Sequence, residues 1–316
     1  MVPSELLPII AEMTLAAAIR ARYPHQSERS QLLRQRVEEA CNLFINGGLG
    51  DANAAQKLCS EDDFLYWQQL SEVLIADQLL KADISIAHPS AGPDFVVEVN
   101  GLKIWLEVIC PEPRGVPNDW TNHVSGTVVD FPHEALLLRW TAAIKEKAEK
   151  LFGAPEKRGY LEKGIVGPND AYVIVVNGRL LRGFGGSFPE LIGISQFPFA
   201  VEATFAVGPL QVQIDRNTFA GSEAEHQHRP TIPKQRGNAV PADTFLDSKF
   251  APVSAIWAVD LDEMSLLGEP RPMAVVHNPY AANPVSRNLL PADSEYIATD
   301  CGSAFQIDRH PGRSVN

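Results

Sequence analysis

The sequence predicts an α/β fold, with a core of one helix, three strands, a second helix and a fourth strand over residues 60–180. Two observations support this prediction. Apolar residues change from helical to alternating spacing and back along this stretch, and Asn100-Gly101 separates two apolar runs as a hairpin turn does. A helical extension over residues 1–59 precedes the core. A β-rich part over residues 181–316 follows it, either as the end of the same domain or as a second one.

The composition is that of a globular protein with an acidic surface. The 316 residues are 45% hydrophobic, enough for a sizeable core, and the formal net charge is −12. Such a charge argues against binding nucleic acid by general phosphate neutralisation, although a local basic groove or a metal ion can supply positive charge. The sequence shows no apolar run of membrane-spanning length and no signal peptide, so we expect a cytoplasmic protein that binds no membrane.

The expected elements follow one another with clear changes of pattern. Helices are expected in "SELLPIIAEMTLAAAIRARY", "SQLLRQRVEEACNLFIN" and "SEDDFLYWQQLSEVLIADQLLKA", and strands over 84–87, 94–99 and 102–110. "HEALLLRWTAAIKEKAEKLF" is an amphipathic helix, and "AYVIVVNG" is a buried strand. Further on, "FAVEATFAV", "LQVQI", "SAIWAVDL" and "MAVVHN" predict short strands, and "FAGSEAEHQHRPTIPKQRGN" predicts a polar loop.

The hairpin around Asn100-Gly101 places two acids opposite each other. A two-residue type I′ turn puts Asp94 opposite Glu107, and Glu98 opposite Lys103. The second pair has opposite charges, but like charges in direct opposition destabilise a sheet. A divalent cation would turn that repulsion into coordination, since carboxylates are ligands that Mg²⁺ prefers. Alternatively, both acids lie at a solvated end of the sheet.

A third acid, Glu72, belongs to an apolar stripe of the first core helix. It lies in line with Leu65, Ile75 and Leu79, and a glutamate within such a stripe seldom lacks a partner. The three acids could therefore converge on one cation. Alternatively, Glu72 lies at the edge of the stripe and its carboxylate reaches water.

The acids lie in motifs that are recognisable together. "GPDF" at 92–95, "WLEV" at 105–108 and the upstream helical glutamate, in this order of elements, resemble the PD-(D/E)XK nuclease superfamily. "LLLRWTAAIKEK" and "VVHNPYAANP" are similar to a bacterial branch of it. The resemblance implies a nuclease that cleaves phosphodiester bonds in nucleic acid, with DNA as the favoured substrate and Mg²⁺ or Mn²⁺ as cofactor. It implies that Glu72, Asp94 and Glu107 hold the metal, and that Asp94 and Glu107 are catalytic.

One position departs from the superfamily's pattern. The superfamily has a lysine two residues after the strand glutamate, and this chain has Ile109 there. Such a lysine orients the attacking water and stabilises the charge that develops on the phosphate. In some members the lysine comes from a neighbouring helix, and Lys147 is the catalytic candidate here, with Lys145 as second choice. Otherwise catalysis has been lost, and the chain is an inactive nuclease-fold protein that binds or regulates.

Nucleic acid is therefore the expected partner. The sequence leaves open whether the C-terminal part contributes a substrate surface or the interface of a homodimer. A hydrolase built on His226 and His228 is a distant alternative, because two histidines at this spacing on a strand can chelate zinc. In a polar loop without further ligands, such a pair is more often a surface feature.

Overall fold

The computed structural model describes residues 15–122, 124, 126–183, 191–234, 236–302 and 304–314. Its main feature is a sheet of eight strands, whose order across the sheet follows their order in the chain. The strands are β1 (Ile86–Ala87), β2 (Phe95–Val99), β3 (Leu102–Ile109), β4 (Ala171–Asn177), β5 (Ala255–Val259), β6 (Met273–His277), β7 (Ser294–Asp300) and β8 (Phe305–Pro311). β3, β4 and β5 run parallel, as do β6 and β7, and the other neighbours are antiparallel.

Helices cover both faces of this sheet. They are α1 (Glu28–Asn46), α2 (Ala54–Leu58), α3 (Asp63–Lys81), α4 (Asn118–Thr121), α5 (His133–Phe152) and α6 (Phe199–Phe205), and residues 15–22 are also helical. α1 and α3 form one apolar core with the face of β3 that carries Leu106 and Val108. α5 and α6 form a second core with the face that carries Trp105 and Ile109. The fold is therefore of the α/β class, with the sheet as the middle layer. Residues 1–14, where the first predicted helix begins, lie outside the described residues.

The hairpin of β2 and β3 has the predicted register. Asn100 and Gly101 have φ angles of 52° and 79°, as both central residues of a type I′ turn require. Glu98 lies opposite Lys103, which confirms the predicted pairing. β2 begins one residue after Asp94, however, so this acid precedes the ladder and does not pair within it.

α5 forms the crossover between the parallel strands β3 and β4. Its bounds are those of the predicted helix, because its apolar positions recur at helical spacing and Pro132 directly precedes it. Its buried side chains include Leu137, Thr141, Ile144, Lys147, Ala148 and Leu151. β4 is buried along its whole length, and its Ile174 lies beside Glu107 of β3. α5 therefore places the turn that carries Lys147 over β3, the strand that carries Glu107.

The prediction for "FAVEATFAV" is wrong, because the segment begins with α6 and becomes extended only at Val207. All seven residues of α6 are buried, so no polar face reveals the helical spacing. Even Glu202 lies inside, where its carboxylate lies 2.5 Å from His133 Nε2 and accepts a 2.7 Å hydrogen bond from Ser195 N–H. Tertiary contacts thus decide the conformation of this segment.

Other parts of the C-terminal half contain more strand than predicted. The strands expected in "SAIWAVDL" and "MAVVHN" are confirmed as β5 and β6. The predicted polar loop, however, contains Glu225–His228, which pairs with Val207–Gln211, and Thr231–Ile232, which pairs with Val240–Pro241. β7 and β8 have no counterpart in the prediction, because polar and charged residues interrupt both.

The C-terminal strands belong to the same sheet as the predicted core. β5 pairs with β4, and β6, β7 and β8 extend the sheet from there. Residues 255–311 therefore do not form a sheet of their own. None of the helices in the described ranges is long and apolar enough to cross a membrane.

Candidate active site

The two strand acids lie at the end of the hairpin that is remote from its turn. Glu107 belongs to β3, on the face that α5 covers, and Asp94 directly precedes β2. The Oδ2 atom of Asp94 accepts a 2.6 Å hydrogen bond from the N–H of Val108, so its side chain takes the place of a backbone partner for β3. Asp94 is half-buried, whereas Glu107 is only 1% exposed.

The glycine of "GPDF" sets the path of the chain into Asp94. Gly92 has a φ angle of 117°, a conformation that side chains with a Cβ atom rarely adopt. A Cβ atom here would also lie 2.5 Å from Cγ2 of Ile165. Glycine is therefore required both by the backbone conformation and by the close packing of the neighbouring loop.

Three side chains from α5 and the loop after it surround Glu107. Its Oε1 atom accepts hydrogen bonds from Lys147 Nζ at 3.0 Å and from Lys150 Nζ at 2.6 Å. Its Oε2 atom lies 3.3 Å from the hydroxyl of Tyr160, which lies equally far from the carbonyl oxygen of Gly92. The Lys147 side chain is buried, whereas that of Lys150 is 36% exposed. Lys150 therefore lies on the side where the site meets solvent.

Lys147 stays charged in this buried position. Burial by itself would lower the pKa of its ammonium group, but the carboxylates of Glu107 and Asp94 outweigh burial and raise the pKa above its usual value. The site therefore contains a fixed positive charge close to both acids. Tyr172 helps to fix the helix here, because its hydroxyl donates a 3.0 Å hydrogen bond to the carbonyl oxygen of Lys147.

Glu72, the third predicted acid, is buried on α3. Its Oε2 atom accepts a 2.7 Å hydrogen bond from Nε2 of Gln69. Burial, followed by the charge of Asp94, raises the pKa of Glu72 to about 8. Burial, followed by the charge of Glu107, raises the pKa of Asp94 to about 6. Asp94 is thus near enough to feel the charge of Glu107 and to act on Glu72, and the ionised forms of Glu72 and Asp94 are poorly compensated.

The donor chemistry of these acids fits a divalent cation. No group of three or more His, Cys, Asp or Glu side chains within the described ranges is arranged to hold a metal ion. Mg²⁺, however, is commonly bound by one or two carboxylates, with water and substrate phosphates as further ligands. Asp94 and Glu107 would supply such a pair, and a cation would offset the charge of Glu107, which adds to burial in raising the pKa of Asp94. Glu72, hydrogen-bonded to Gln69, is the least suited of the three predicted ligands.

The two lysine candidates, Lys147 and Lys145, have different surroundings in the structure. Lys147 contacts Glu107, as the first choice requires, whereas Lys145 is exposed and its Nζ lies 3.8 Å from Glu149. Ile109, at the position where the resemblance would place a lysine, is buried in the core beneath α5. A positive charge from the helix therefore lies close to the acid, and none comes from the strand position.

Lys150 and Tyr160 contact Glu107 but were not among the predicted site residues. Lys150 follows Lys147 by three positions, and residues at this spacing share one face of a helix, so the signal for it was present in the sequence. Tyr160 lies in the loop beyond α5, where no local pattern tells which way a side chain faces. The site therefore contains one more positive charge, that of Lys150, than the predicted set of site residues.

Comparisons of the chain with protein-family models, with curated proteins and with solved structures found no match.

We expect the stability of the metal-free protein to fall as the pH rises through neutrality. The pKa of Glu72 is about 8, against a usual value of 4.5, so the folded state keeps a proton that the unfolded state has lost in this interval. The free energy of unfolding should decline from about pH 5 to about pH 8, because the folded state binds more protons there. Glu72→Gln cannot ionise, so it should remove most of this decline and be more stable than wild type at about pH 9.

This expectation is checked by urea denaturation in EDTA at several pH values. The control is Glu98→Gln, which removes an exposed carboxylate from the hairpin. Its pH dependence should follow that of wild type. Parallel curves for wild type and Glu72→Gln would contradict the raised pKa.

Proposed function

We propose that the chain is a divalent-metal-dependent phosphodiesterase of the PD-(D/E)XK type that cleaves nucleic acid, with DNA as the favoured substrate. The observation that carries the proposal is the 3.0 Å contact between the ammonium group of Lys147 and Glu107, close to Asp94. This contact supplies from α5 the positive charge that Ile109 cannot supply from the strand. Two acids and a fixed ammonium group are the parts that this class of nuclease needs.

The order and directions of the first four strands support the proposal. α3 precedes β1, β2 and β3, which pair antiparallel with one another, and α5 then leads to β4, which is parallel to β3. This is the order of helix, three strands, helix and strand that the resemblance implies. Glu107 lies on β3 and Asp94 directly precedes β2, the two central strands of that unit, where the superfamily's motif would place the two acids.

Each residue of the site has a role that its surroundings allow. Asp94 and Glu107 would hold Mg²⁺ or Mn²⁺, which when bound would polarise the phosphate and lower the pKa of an attacking water. Lys147, fixed by Glu107, would orient that water and stabilise the charge that develops on the phosphate. Lys150, on the solvent side, would contact the incoming phosphate group.

One observation favours a second candidate, a catalytically inactive nuclease-fold protein that binds or regulates. Two lysines already neutralise Glu107, and the N–H of Val108 already occupies one oxygen of Asp94. The acids would then form a structural cluster of ion pairs. A net charge of −12 also weakens the general attraction of nucleic acid.

The purified protein is expected to cleave DNA or RNA in the presence of Mg²⁺ or Mn²⁺ and to stop when EDTA is added. Asp94→Asn should lose most of this activity, because it removes one anionic ligand but keeps an oxygen that can accept the hydrogen bond from Val108. Mn²⁺ at about a hundred times its dissociation constant should stabilise wild type by about 2.7 kcal/mol, and Asp94→Asn by much less. Cleavage is measured on labelled substrates, and stabilisation by thermal melting.

Asp130→Asn is the matched control, because it removes an exposed carboxylate elsewhere on the chain. It should cleave and melt like wild type. Stabilisation by Mn²⁺ without any cleavage would favour the inactive binding protein. Cleavage that persists undiminished in Asp94→Asn or in EDTA would contradict the proposed site.

A further inference from the structure

A groove runs along the flank of α5 that faces away from Glu107. One part, with a volume of about 650 Å³, lies between α5 and the segment 238–250. A second part, of about 720 Å³, adjoins it, since Arg114, Leu138 and Lys234 line both. We call these two parts together the α5 groove. Its size is in the range of small-molecule sites.

Positive charge is concentrated along this groove. The chain has 27 lysines and arginines against 39 acids, yet the groove is lined by six cations, Arg114, Arg139, Lys145, Lys234, Arg236 and Lys249, against three acids, Glu134, Asp243 and Asp247. Three of the six cations, Arg114, Lys145 and Lys249, each pair with a neighbouring acid. Lys234 and Arg236 form no ion pair with any described residue. On an acidic protein, such a concentration of cations favours an anionic ligand.

Arg139 gives an independent indication of an anion. Its Nε donates a 2.7 Å hydrogen bond to the carbonyl oxygen of Glu112, which leaves its terminal nitrogens without an acceptor among the described residues. Burial, followed by the positive charge of Arg114, lowers the pKa of Arg139. An anion between these two guanidinium groups would relieve their repulsion and accept hydrogen bonds from Arg139.

The floor of the groove is apolar, which indicates a ligand with an apolar part in addition to its negative charge. Apolar side chains from both walls line it: Leu138, Ala142, Val240, Pro241 and Phe250. Asn238 and Asp243 add polar groups that can pair with the edge of a heterocycle. The ligand should therefore combine a phosphate with a flat body that has apolar faces and polar edges.

We propose that the α5 groove binds a nucleoside phosphate, either as a free nucleotide or as the end of a nucleic-acid strand. The cations on the rim hold the phosphate, and the base lies on the apolar floor. This site is distinct from the acids at Asp94 and Glu107, which lie on the opposite side of α5. Its occupation requires neither a metal nor cleavage, so it does not depend on the proposed activity.

The test measures binding by titration calorimetry in EDTA, with adenosine 5′-monophosphate, adenosine and inorganic phosphate as probes. The monophosphate should bind wild type at least about tenfold more tightly than adenosine or phosphate alone, because only it uses both rim and floor. Lys145→Glu should weaken this binding about tenfold or more. Ala142→Phe, which fills the floor from an exposed helical position, should do the same without a change of charge.

Arg36→Glu is the matched control for the charge reversal. Arg36 is, like Lys145, a cation on a helix surface with an acidic neighbour within one turn, but it lies on α1. Arg36→Glu should bind adenosine 5′-monophosphate as tightly as wild type does. Circular dichroism of each variant shows whether it is folded.

A thymidine hexamer with a 5′-phosphate distinguishes the two sources of the ligand. Binding of the hexamer at least about tenfold more tightly than the monophosphate would identify a strand end, and the reverse order would identify a free nucleotide. The proposal is overturned if neither probe binds, if Ala142→Phe binds like wild type, or if a hexaglutamate peptide binds as tightly as the nucleotides.

Discussion

Glu107→Gln is expected to lower the free energy of unfolding by about 3–5 kcal/mol and to abolish cleavage. The substitution keeps the size of the side chain but leaves Lys147 and Lys150 without the carboxylate that they share. Lys147 is buried, and removing one partner of a buried ion pair costs about this much because the other charge remains uncompensated. Urea denaturation followed by circular dichroism measures the loss, and a cleavage assay with Mn²⁺ measures the activity.

Glu98→Gln provides the control on the same hairpin. Its carboxylate is exposed and faces Lys103 across the strands, so its loss should cost no more than about 1 kcal/mol. The double variant Glu107→Gln/Lys147→Met should recover part of the stability that Glu107→Gln loses, because the two sites interact directly. Equal losses for Glu98→Gln and Glu107→Gln would show that Glu107 does not hold the buried ammonium group.

Lys147→Met is expected to slow cleavage by about a hundredfold or more. Methionine preserves most of the packing but removes the preorganised charge, and the loss of one such group typically has this effect. The stability loss should be smaller than that of Glu107→Gln, because Lys150 still neutralises Glu107. Stabilisation by Mn²⁺ should change little, since Lys147 is not a ligand.

Lys150→Met is the matched comparison, because it removes the other ammonium group from the same oxygen of Glu107. Lys150 lies at the solvent side, where water and salt screen its charge, so its loss should slow cleavage by no more than about tenfold. A rate for Lys147→Met equal to that of wild type would remove Lys147 from the proposed mechanism. Equal large losses in both variants would mean that the two lysines act as one unit.

The elements that position the site could be predicted because their signals are local. Asn100-Gly101 fixes the register of β2 and β3 through the positive φ angles that the turn needs. Apolar spacing sets the bounds and the inward face of α5. Once register and face are known, the approach of Lys147 to Glu107 follows, and the structure shows this contact.

Other parts of the fold depend on long-range contacts that leave no local pattern. α6 is buried on all sides, and the contact between Glu202 and His133 joins residues far apart in the chain. The position of Tyr160 depends on how the loop after α5 packs near Gly92. Within the site, the hydrogen bond that Asp94 accepts from the N–H of Val108 could not be predicted either, because it depends on how the preceding loop enters β2.

The edges of the eight-stranded sheet bear on aggregation and self-association. In the part of the chain that the structure describes, β1 and β8 are these edges, and β1 has only two residues, too few to template an added strand. β8 carries charge at Asp308 and Arg309 and ends at Pro311, which has no N–H to donate. Both edges therefore resist the addition of a strand from another molecule. A homodimer would have to use helix or loop surfaces, because continuation of the sheet across two copies is disfavoured.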